Sequence, residues 1–248
     1  ERAEKRLEKV HQEKYQQARQ ISGGFAHEIR NALFPAKGSL SQLKKLIYEN
    51  LTDRGHLYSF YKMADDSIAR AIGITALISQ YTKLDSECMP ERVDLNHVLN
   101  EIRVTNQIRI KEQRVQLQIS CPPEVWLESN RRQLFIAFNN LILNSLDALT
   151  DIPDPAIKIE GTVQDSYLEL ALIDNGGGIP PENLSRIFEA FYSTKPDKGT
   201  GIGLATAKKI IEMYGGSIAV TSSPGDGTRF DLKFKIHKDE ENLKYEST

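Results

Sequence analysis

The sequence predicts an α+β fold: an antiparallel helical hairpin that doubles into a dimeric four-helix bundle, followed by a mixed domain of strands and helices. Three observations predict it. Apolar residues recur at alternating spacings of three and four across two segments between residues 26 and 78, the pattern of a helix with one buried stripe. Composition changes near Glu87–Pro90. After that point, short alternating runs rich in β-branched and aromatic residues are interleaved with helical stretches and a loop rich in glycine and proline, as a sheet packed by helices requires.

Residues 1–20 are almost all helix formers with sparse apolar positions. A helix this polar is marginal alone and reads as a coiled-coil lead-in. The first hairpin helix carries the seam Ala26, Ile29, Leu33, Ala36, Leu40, Leu43, Ile47. A polar turn follows near Asn50–Gly55, and then the second seam, Leu57, Tyr61, Ala64, Ile68, Ala71, Thr75, Ile78. Phe25, Phe34, Phe60, Ile72 and Ile74 fall outside those seams. One hairpin could not bury them all, whereas two hairpins in a four-helix dimer could. These features bound a helical domain over 21–88, with a hinge at Glu87–Pro90, and a second domain over 89–240.

In the second domain a short helix is expected after Asp94, carrying His97. Strands are expected at Val115–Ile119 and Val125–Leu127, with Trp126 in the core. A helix over 131–149 follows, then a strand pair at Ile157–Val163 and Tyr167–Ile173. A loop spans about 174–200, a helix over 201–214 stops at Gly215-Gly216, and strands at 217–222 and 228–236 close the domain. The charged tail 241–248 is expected to fray.

Composition excludes several classes. A net charge of −2 gives no electrostatic case for nucleic acid. No apolar run approaches the roughly 20 residues that span a bilayer. Cys88 and Cys121 stand far apart and form no C-x-x-C, which suits a reducing compartment and argues against a disulfide framework or a zinc knuckle. The chain opens inside a charged helical pattern without an initiator Met, and reads as a cytoplasmic piece of something longer.

Four clusters could carry chemistry. His27 lies one position past the seam residue Ala26, beside the buried stripe, with Glu28 adjacent and Asn31 one turn along. An exposed imidazole with a neighbouring carboxylate can act as a nucleophile; taken alone, the motif fits a solvated surface histidine better. It is not a zinc-protease motif, because Asn31 stands where the second ligand histidine belongs. Asn140 and Asn144 share a face of an otherwise apolar helix. An amide oxygen there suits Mg²⁺ carrying nucleotide phosphates, and an ordinary polar face fits equally. Asp174 precedes three glycines after a strand, suited to accept from an exocyclic amine of a flat ligand, or simply part of a flexible turn. Lys198-Gly-Thr-Gly-Ile-Gly-Leu204 leads into a helix, so its backbone N–H groups could face phosphate. Neither a Walker loop nor a dinucleotide fingerprint occurs.

Taken together and in order, these motifs closely resemble the sensor histidine kinase family over roughly residues 20–240. His27 with Glu28 and Asn31 resembles the phosphoacceptor box, and Asn140–Asn144 the N box. Asp174–Gly178, Gly199–Gly203 and Gly225–Thr228 resemble three glycine boxes, and Phe188–Phe191 the F box. Phe191–Lys195 is similar to the nitrogen-regulation and oxygen-sensing branches.

The resemblance implies a dimerisation and phosphotransfer hairpin, then an ATP-binding α/β sandwich of the gyrase and chaperone ATPase type, acting as an ATP:protein-histidine phosphotransferase. It implies ATP and Mg²⁺ as cofactors. The partners it implies are a second copy through the hairpin, a response-regulator receiver domain and an N-terminal sensor domain. His27 becomes the phosphoacceptor, Glu28 its base, and Asn31 the residue that orients water when such kinases dephosphorylate their partner. Asn144 becomes the Mg²⁺ ligand, Asn140 lies near the phosphates, and Asp174 reads adenine. Asp147, Gly176, Gly178, Ile179, Gly199, Thr200, Gly201, Ile202, Gly203, Leu204 and Thr228 line the nucleotide. Lys195 reaches the phosphates or is a solvated loop lysine.

Two positions depart from the family pattern. The proline usually found five residues after the phosphoacceptor is Ala32, with Pro35 three residues later, so a helix kink is expected to be displaced. Asn140 stands where the hydrolysing ATPases carry a glutamate base, so phosphotransfer is expected in preference to free ATP hydrolysis. The alternatives are a partner-binding switch acting mainly as a phosphatase, and a chaperone- or mismatch-repair-like ATPase.

Overall fold

The computed structural model describes residues 29–47, 54–83, 89–194 and 200–236. The chain forms two units: Glu1–Lys83 with Ala190–Ile202, and Leu84–Glu189 with Gly203–Thr248. The lead-in helix, the turn between the hairpin helices, much of the hinge and the tail lie outside the described residues.

In the first unit, α1 (29–47) and α2 (Arg54–Lys83) are the two hairpin helices. The stripe they bury is offset from the expected seam. On α1, Ala32, Ala36 and Ser39 are buried, flanked by Ile29, Leu43 and Leu46. On α2, Ala64, Ser67, Ala71 and Ile74 are buried. Of the expected seam residues, the alanines Ala36, Ala64 and Ala71 are thus inside, whereas the bulky Leu33, Leu40, Ile47, Tyr61 and Ile68 are 41–67% exposed. The reason is geometric: a three-four pattern one position over describes a neighbouring stripe on the same helix. The stripe of small side chains, which lets helix axes approach closely, is the one buried within the chain. Ser39 and Ser67 satisfy their hydroxyls on the carbonyls of Pro35 and Met63, at 2.9 and 2.6 Å. α1 remains helical through Pro35. Ala32, Ala71 and Ile74 form a cluster with Ile202, against which Ile29, Leu77 and Phe191 pack.

The second unit is a two-layer α/β sandwich. Its strands are β1 (Glu91–Asp94), β2 (Gln116–Ser120), β3 (Trp126–Ser129), β4 (Ala156–Gln164), β5 (Tyr167–Asp174), β6 (Ser217–Ser223) and β7 (Gly227–Lys235). Its helices are α3 (Leu95–Thr105), α4 (Gln107–Glu112), α5 (Arg131–Ala148), α6 (Pro181–Leu184) and α7 (Gly203–Met213). The main sheet has the order β2-β4-β5-β7-β6, with β2 and β4 parallel and the other pairs antiparallel. β1 and β3 form a separate antiparallel pair.

Alternation decides which face is buried. Ile157 and Ile159 on β4, Leu168, Leu170 and Leu172 on β5, and Phe230, Leu232 and Phe234 on β7 all point inward. They meet Leu134, Phe138 and Leu141 of α5 and Ile210 and Ile211 of α7, with the Phe138 and Phe234 rings 6.1 Å apart. Caps fix the helix ends. Asp94 accepts from the Asn96 N–H at 2.9 Å to start α3, and Asn130 from the Gln133 N–H at 3.1 Å to start α5. α7 ends where Gly216 donates to the Ile211 carbonyl and Gly215 to that of Glu212, a paired closure with Gly215 at φ 71°.

Three short elements carry no clear sequence signal: β1, α4 and α6 are four to six residues each, too short for a period to show. α6 lies inside the stretch expected to be loop. α7 begins at Gly203, two residues later than expected. Trp126, expected in the core, is 38% exposed, because alternation on β3 turns Leu127 inward and leaves the indole outside under the Arg92 guanidinium, 5.3 Å from its centroid. Among the described residues no helix is long and apolar enough to cross a membrane.

Because Trp126 is the sole tryptophan and belongs to the second unit, its fluorescence reports unfolding of that unit. Phe138→Ala, which empties a fully buried position, should lower stability there by about 3–5 kcal/mol in urea titrations. Val163→Ala, on a partly exposed strand position, should change it by about 0.5 kcal/mol or less.

Candidate functional site

Three apolar stripes run through the second unit, and each ends in a polar residue at the same edge of the core. On β5 the inward series Leu168, Leu170, Leu172 continues to Asp174. On β7 the inward series Phe234, Leu232, Phe230 continues to Thr228. On α5 the series Leu134, Phe138, Leu141 continues to Ser145. Asp174, Thr228 and Ser145 are 2%, 4% and 0% exposed. Asp174 and Thr228 are partners in the β5–β7 register.

The Asp174 carboxylate is held from two sides. Ser145 Oγ donates to its Oδ2 at 2.8 Å, and the Gly176 N–H to its Oδ1 at 3.0 Å. A buried carboxylate without such donors would be strongly disfavoured. The next residue, Asn175, staples the loop to the start of β4: its Oδ1 accepts from the Ala156 N–H at 2.7 Å and its Nδ2 donates to the Asp154 carbonyl at 3.0 Å.

The glycine loop after Asp174 is locked onto the β6–β7 turn. Gly225 donates to the Gly177 carbonyl at 2.9 Å, and the Ile179 N–H donates to Ser222 Oγ at 2.8 Å. Ser222 in turn donates to the Gly227 carbonyl at 2.6 Å and lies 3.1 Å from Thr228 Oγ1. Gly178 has φ 73°, and a Cβ there would fall 1.9 Å from the Ser223 carbonyl oxygen. Gly227 has φ 83°, and its Cβ would fall 2.0 Å from the Asp174 carbonyl oxygen. Both positions exclude a side chain by conformation and by contact.

α5 supplies the rest. Asn140 and Asn144 are half-buried, and their amides have no hydrogen-bond partner among the described residues. The first residue of α7, Gly203, abuts Asn140: a Cβ there would sit 3.3 Å from Asn140 Oδ1. The N-terminus of α7, with Gly203 and Leu204, is thus next to Asn140 and offers the N–H groups and partial positive charge that favour an anion. Gly176 reaches the same helix at Ala148, and Gly177 donates to the Ala148 carbonyl at 3.3 Å. The anion-favouring end and the carboxylate end are therefore about 8 Å apart along α5, five residues at about 1.5 Å each.

Of the expected site residues, Asn140, Asn144, Asp174, Gly176, Gly178, Ile179, Gly203, Leu204 and Thr228 come together here. Asp147, also on α5, forms an ion pair with Arg109 of α4. Thr200, Gly201 and Ile202 belong to the first unit, where Ile202 is buried with Ala32, Ala71 and Ile74. Asn31 is exposed on α1. His27, Glu28, Lys195 and Gly199 lie outside the described residues. Motif reasoning misses Ser145 and Ser222. Ser145 carries a legible signal, because it occupies a core position of the α5 stripe; Ser222 carries none, because its role follows from the pairing of β6 with β7. Cys121 is not a nucleophile: burial, and then the Asp94 charge, push its thiol up to about 11.

An amide oxygen without a partner is the hard donor that Mg²⁺ takes beside waters and phosphate oxygens, so Asn140 and Asn144 fit that ion. No cluster of three metal-ligating acidic, His or Cys side chains occurs among the described residues.

The glycine geometry gives a paired prediction. Gly178→Ala should destabilise the second unit by at least about 2 kcal/mol, read from Trp126 fluorescence. Gly177→Ala, where a Cβ meets nothing within 4 Å, should leave stability within about 0.5 kcal/mol.

Residues 129–238 match the family described as histidine kinase-, DNA gyrase B-, and HSP90-like ATPase. The chain is 28% identical over 225 residues to the nitrogen regulation protein NtrY of Azorhizobium caulinodans, covering 87% of this chain and 28% of that one. It is 29% identical over 223 residues to sporulation kinase A of Bacillus subtilis, covering 90% and 35%. The chain thus spans roughly a third of the length of these curated relatives. Among solved structures, the catalytic domain of histidine kinase ThkA aligns with a TM-score of 0.53 at 25% identity, covering 60% of this chain and 96% of that one. ThkA in complex with the response regulator protein TrrA aligns with a TM-score of 0.73 at 20% identity, covering 96% and 67%, a likeness of fold. The edge where Asp174, Ser145 and Thr228 converge therefore lies within a histidine kinase-, gyrase- and HSP90-like ATPase domain, and the chain is a homologue of the sensor histidine kinases.

Proposed function

We propose that this chain is the catalytic core of a sensor histidine kinase, which phosphorylates His27 from Mg-ATP and passes the phosphoryl group to an aspartate of a response regulator. The observation that carries the reading is the buried Asp174 carboxylate, oriented by Ser145 and Gly176 at one end of α5, with the amides of Asn140 and Asn144 and the α7 N-terminus toward the other. Asp174 would accept a hydrogen bond from the adenine amine. Asn144 would ligate Mg²⁺, with Asn140 beside the phosphates. Gly176, Gly178, Ile179, Gly203, Leu204 and Thr228 would line the nucleotide, with Asp147, Gly199, Thr200, Gly201 and Ile202 assigned there by the family resemblance alone. Lys195 would reach the phosphates. When bound, Mg²⁺ neutralises charge on the transferring phosphoryl group.

In the proposed reaction a ring nitrogen of His27 attacks the γ-phosphorus, the bond to the bridging oxygen of ADP breaks, and Glu28 takes the imidazole proton. The receiver aspartate then attacks the same phosphorus and the bond to His27 breaks. Catalysis of this kind rests on positioning and charge stabilisation. Asn140 cannot remove a proton from water, so transfer is favoured over hydrolysis.

The exposed bulky stripe Leu33, Phe34, Leu40, Ile47, Tyr61, Ile68 and Ile72 supports dimerisation through the hairpin, because two copies could cover what one leaves open. We assign residues 21–88 to dimerisation and phosphotransfer and 89–240 to catalysis, in a cytoplasmic part of a longer protein with an N-terminal sensor domain. Asn31, one turn from His27 in sequence and exposed on α1, supports a second activity, dephosphorylation of the regulator.

Incubation with γ-labelled ATP and Mg²⁺ should give acid-labile label on the wild type and none on His27→Gln; equal labelling of both would refute the assignment. Asn144→Ala should slow labelling by about 10²-fold. Asn31→Ala should keep self-labelling and lose phosphate release from a phosphorylated regulator; unchanged release would remove the second activity.

A further inference from the structure

The segment joining α3 to α4 meets α5 on the flank of its asparagine face. Asn106, at the junction, is buried and donates to Asn139 Oδ1 at 2.8 Å, which seats the start of α4 beside Asn140. One turn on, Arg109 pairs through Nη2 with Asp147 Oδ1. The two contacts lie eight residues apart on α5, about 12 Å at 1.5 Å per residue, and only three apart on the other segment. The Arg109 side chain therefore runs along α5 to reach Asp147.

Asp147 belongs to the face that carries the amides. At about 100° per residue, Asn140, Asn144 and Asp147 fall within about 60° of one another around α5. That face abuts Gly203, the first residue of α7, at Asn140. A bare carboxylate there would repel an anionic ligand. Arg109 neutralises it and keeps donors in reserve, because Asp147 engages one nitrogen of a guanidinium with five N–H groups. The side chains of Arg109 and Asp147 are 35% and 41% exposed, so a ligand can reach both. A pair this exposed contributes little to fold stability.

We propose that Arg109 is a phosphate-binding residue of the site, carried in from α4 and held against the α5 face by Asp147, from which its free N–H groups donate to the phosphate oxygens of the nucleotide. This rests on the reading of that face as a Mg-nucleotide site. Asp147 then acts through Arg109, as the anchor that extends the guanidinium along the helix.

The test compares the dissociation constants of ATP and adenosine for the full chain with Mg²⁺, by competition with a fluorescent ATP analogue. Their ratio is insensitive to the fraction of folded protein. Arg109→Ala should cut the preference for ATP about tenfold, as hydrogen bonds to a charged group imply, and leave adenosine unchanged. The double variant Arg109→Ala, Asp147→Ala should stay below the wild-type preference. Arg131→Ala, which removes a similar ion pair with Glu101 at the start of α5, should keep the wild-type ratio. If Arg109→Ala weakens both ligands equally, the residue is structural and the inference fails. Full recovery in the double variant would mean that Arg109 only masks Asp147, and an equal loss in Arg131→Ala would mean that any nearby cation serves; either overturns the proposal. If Arg109→Ala keeps the wild-type ratio, the inference fails and the nucleotide reading stands. If the wild type does not prefer ATP, the nucleotide reading fails and the inference with it.

Discussion

A carboxylate sealed from water at the end of a β-strand is tolerable only where donors meet it, and in this chain the buried Asp174 organises everything around it. The Gly176 N–H can reach Oδ1 only if the chain turns sharply after the strand. That turn brings Gly178 and Gly225 into backbone contact with the opposing loops, at positions with φ of 73° and 88°. Ser145 can reach Oδ2 only if α5 crosses the sheet in one register, which the Phe138 and Phe234 contact and the Asn130 cap help to fix. Thr228, paired with Asp174 across the sheet, is tied through Ser222 to the same loop.

Seen this way, the apolar core and the polar site are one construction. The stripes that bury Leu168 to Leu172, Phe230 to Phe234 and Leu134 to Leu141 also aim three polar side chains at a single edge. Hydrophobic burial supplies the rigidity, and the last residue of each stripe places a polar group at that edge. Asn106 adds to this support. It donates to the Ile102 carbonyl at 2.9 Å and to Asn139 Oδ1 at 2.8 Å, joining the α3–α4 junction to α5 beside Asn140.

Much of this was legible in the sequence, and the failures have physical causes. The strands β4 to β7 alternate cleanly, and α5 and α7 are long enough to show a period, so their placement followed from pattern. Asp174 stood out because it follows a strand and precedes a glycine run, and the structure adds that it continues the inward series of β5. The hairpin helices were legible as helices, but their buried face was not. Leu33, Leu40 and Ile47 look like a seam by hydrophobicity, whereas close helix approach selects Ala32, Ala36 and Ser39. Spacing alone does not distinguish two stripes one residue apart. Trp126 failed for a related reason, since a four-residue strand carries too little pattern to say which face is inside. Asp147 matched the family motif, and its ion pair with Arg109 depends on α4, a helix too short to anticipate.

The most direct measurement is a crystal structure of the full chain with Mg²⁺ and a non-hydrolysable ATP analogue. The account predicts the purine amine within hydrogen-bond distance of the Asp174 carboxylate, and the phosphates toward Asn140, Asn144 and the start of α7. A base bound elsewhere, with Asp174 still closed on Ser145 and Gly176 and touching no ligand, would contradict it.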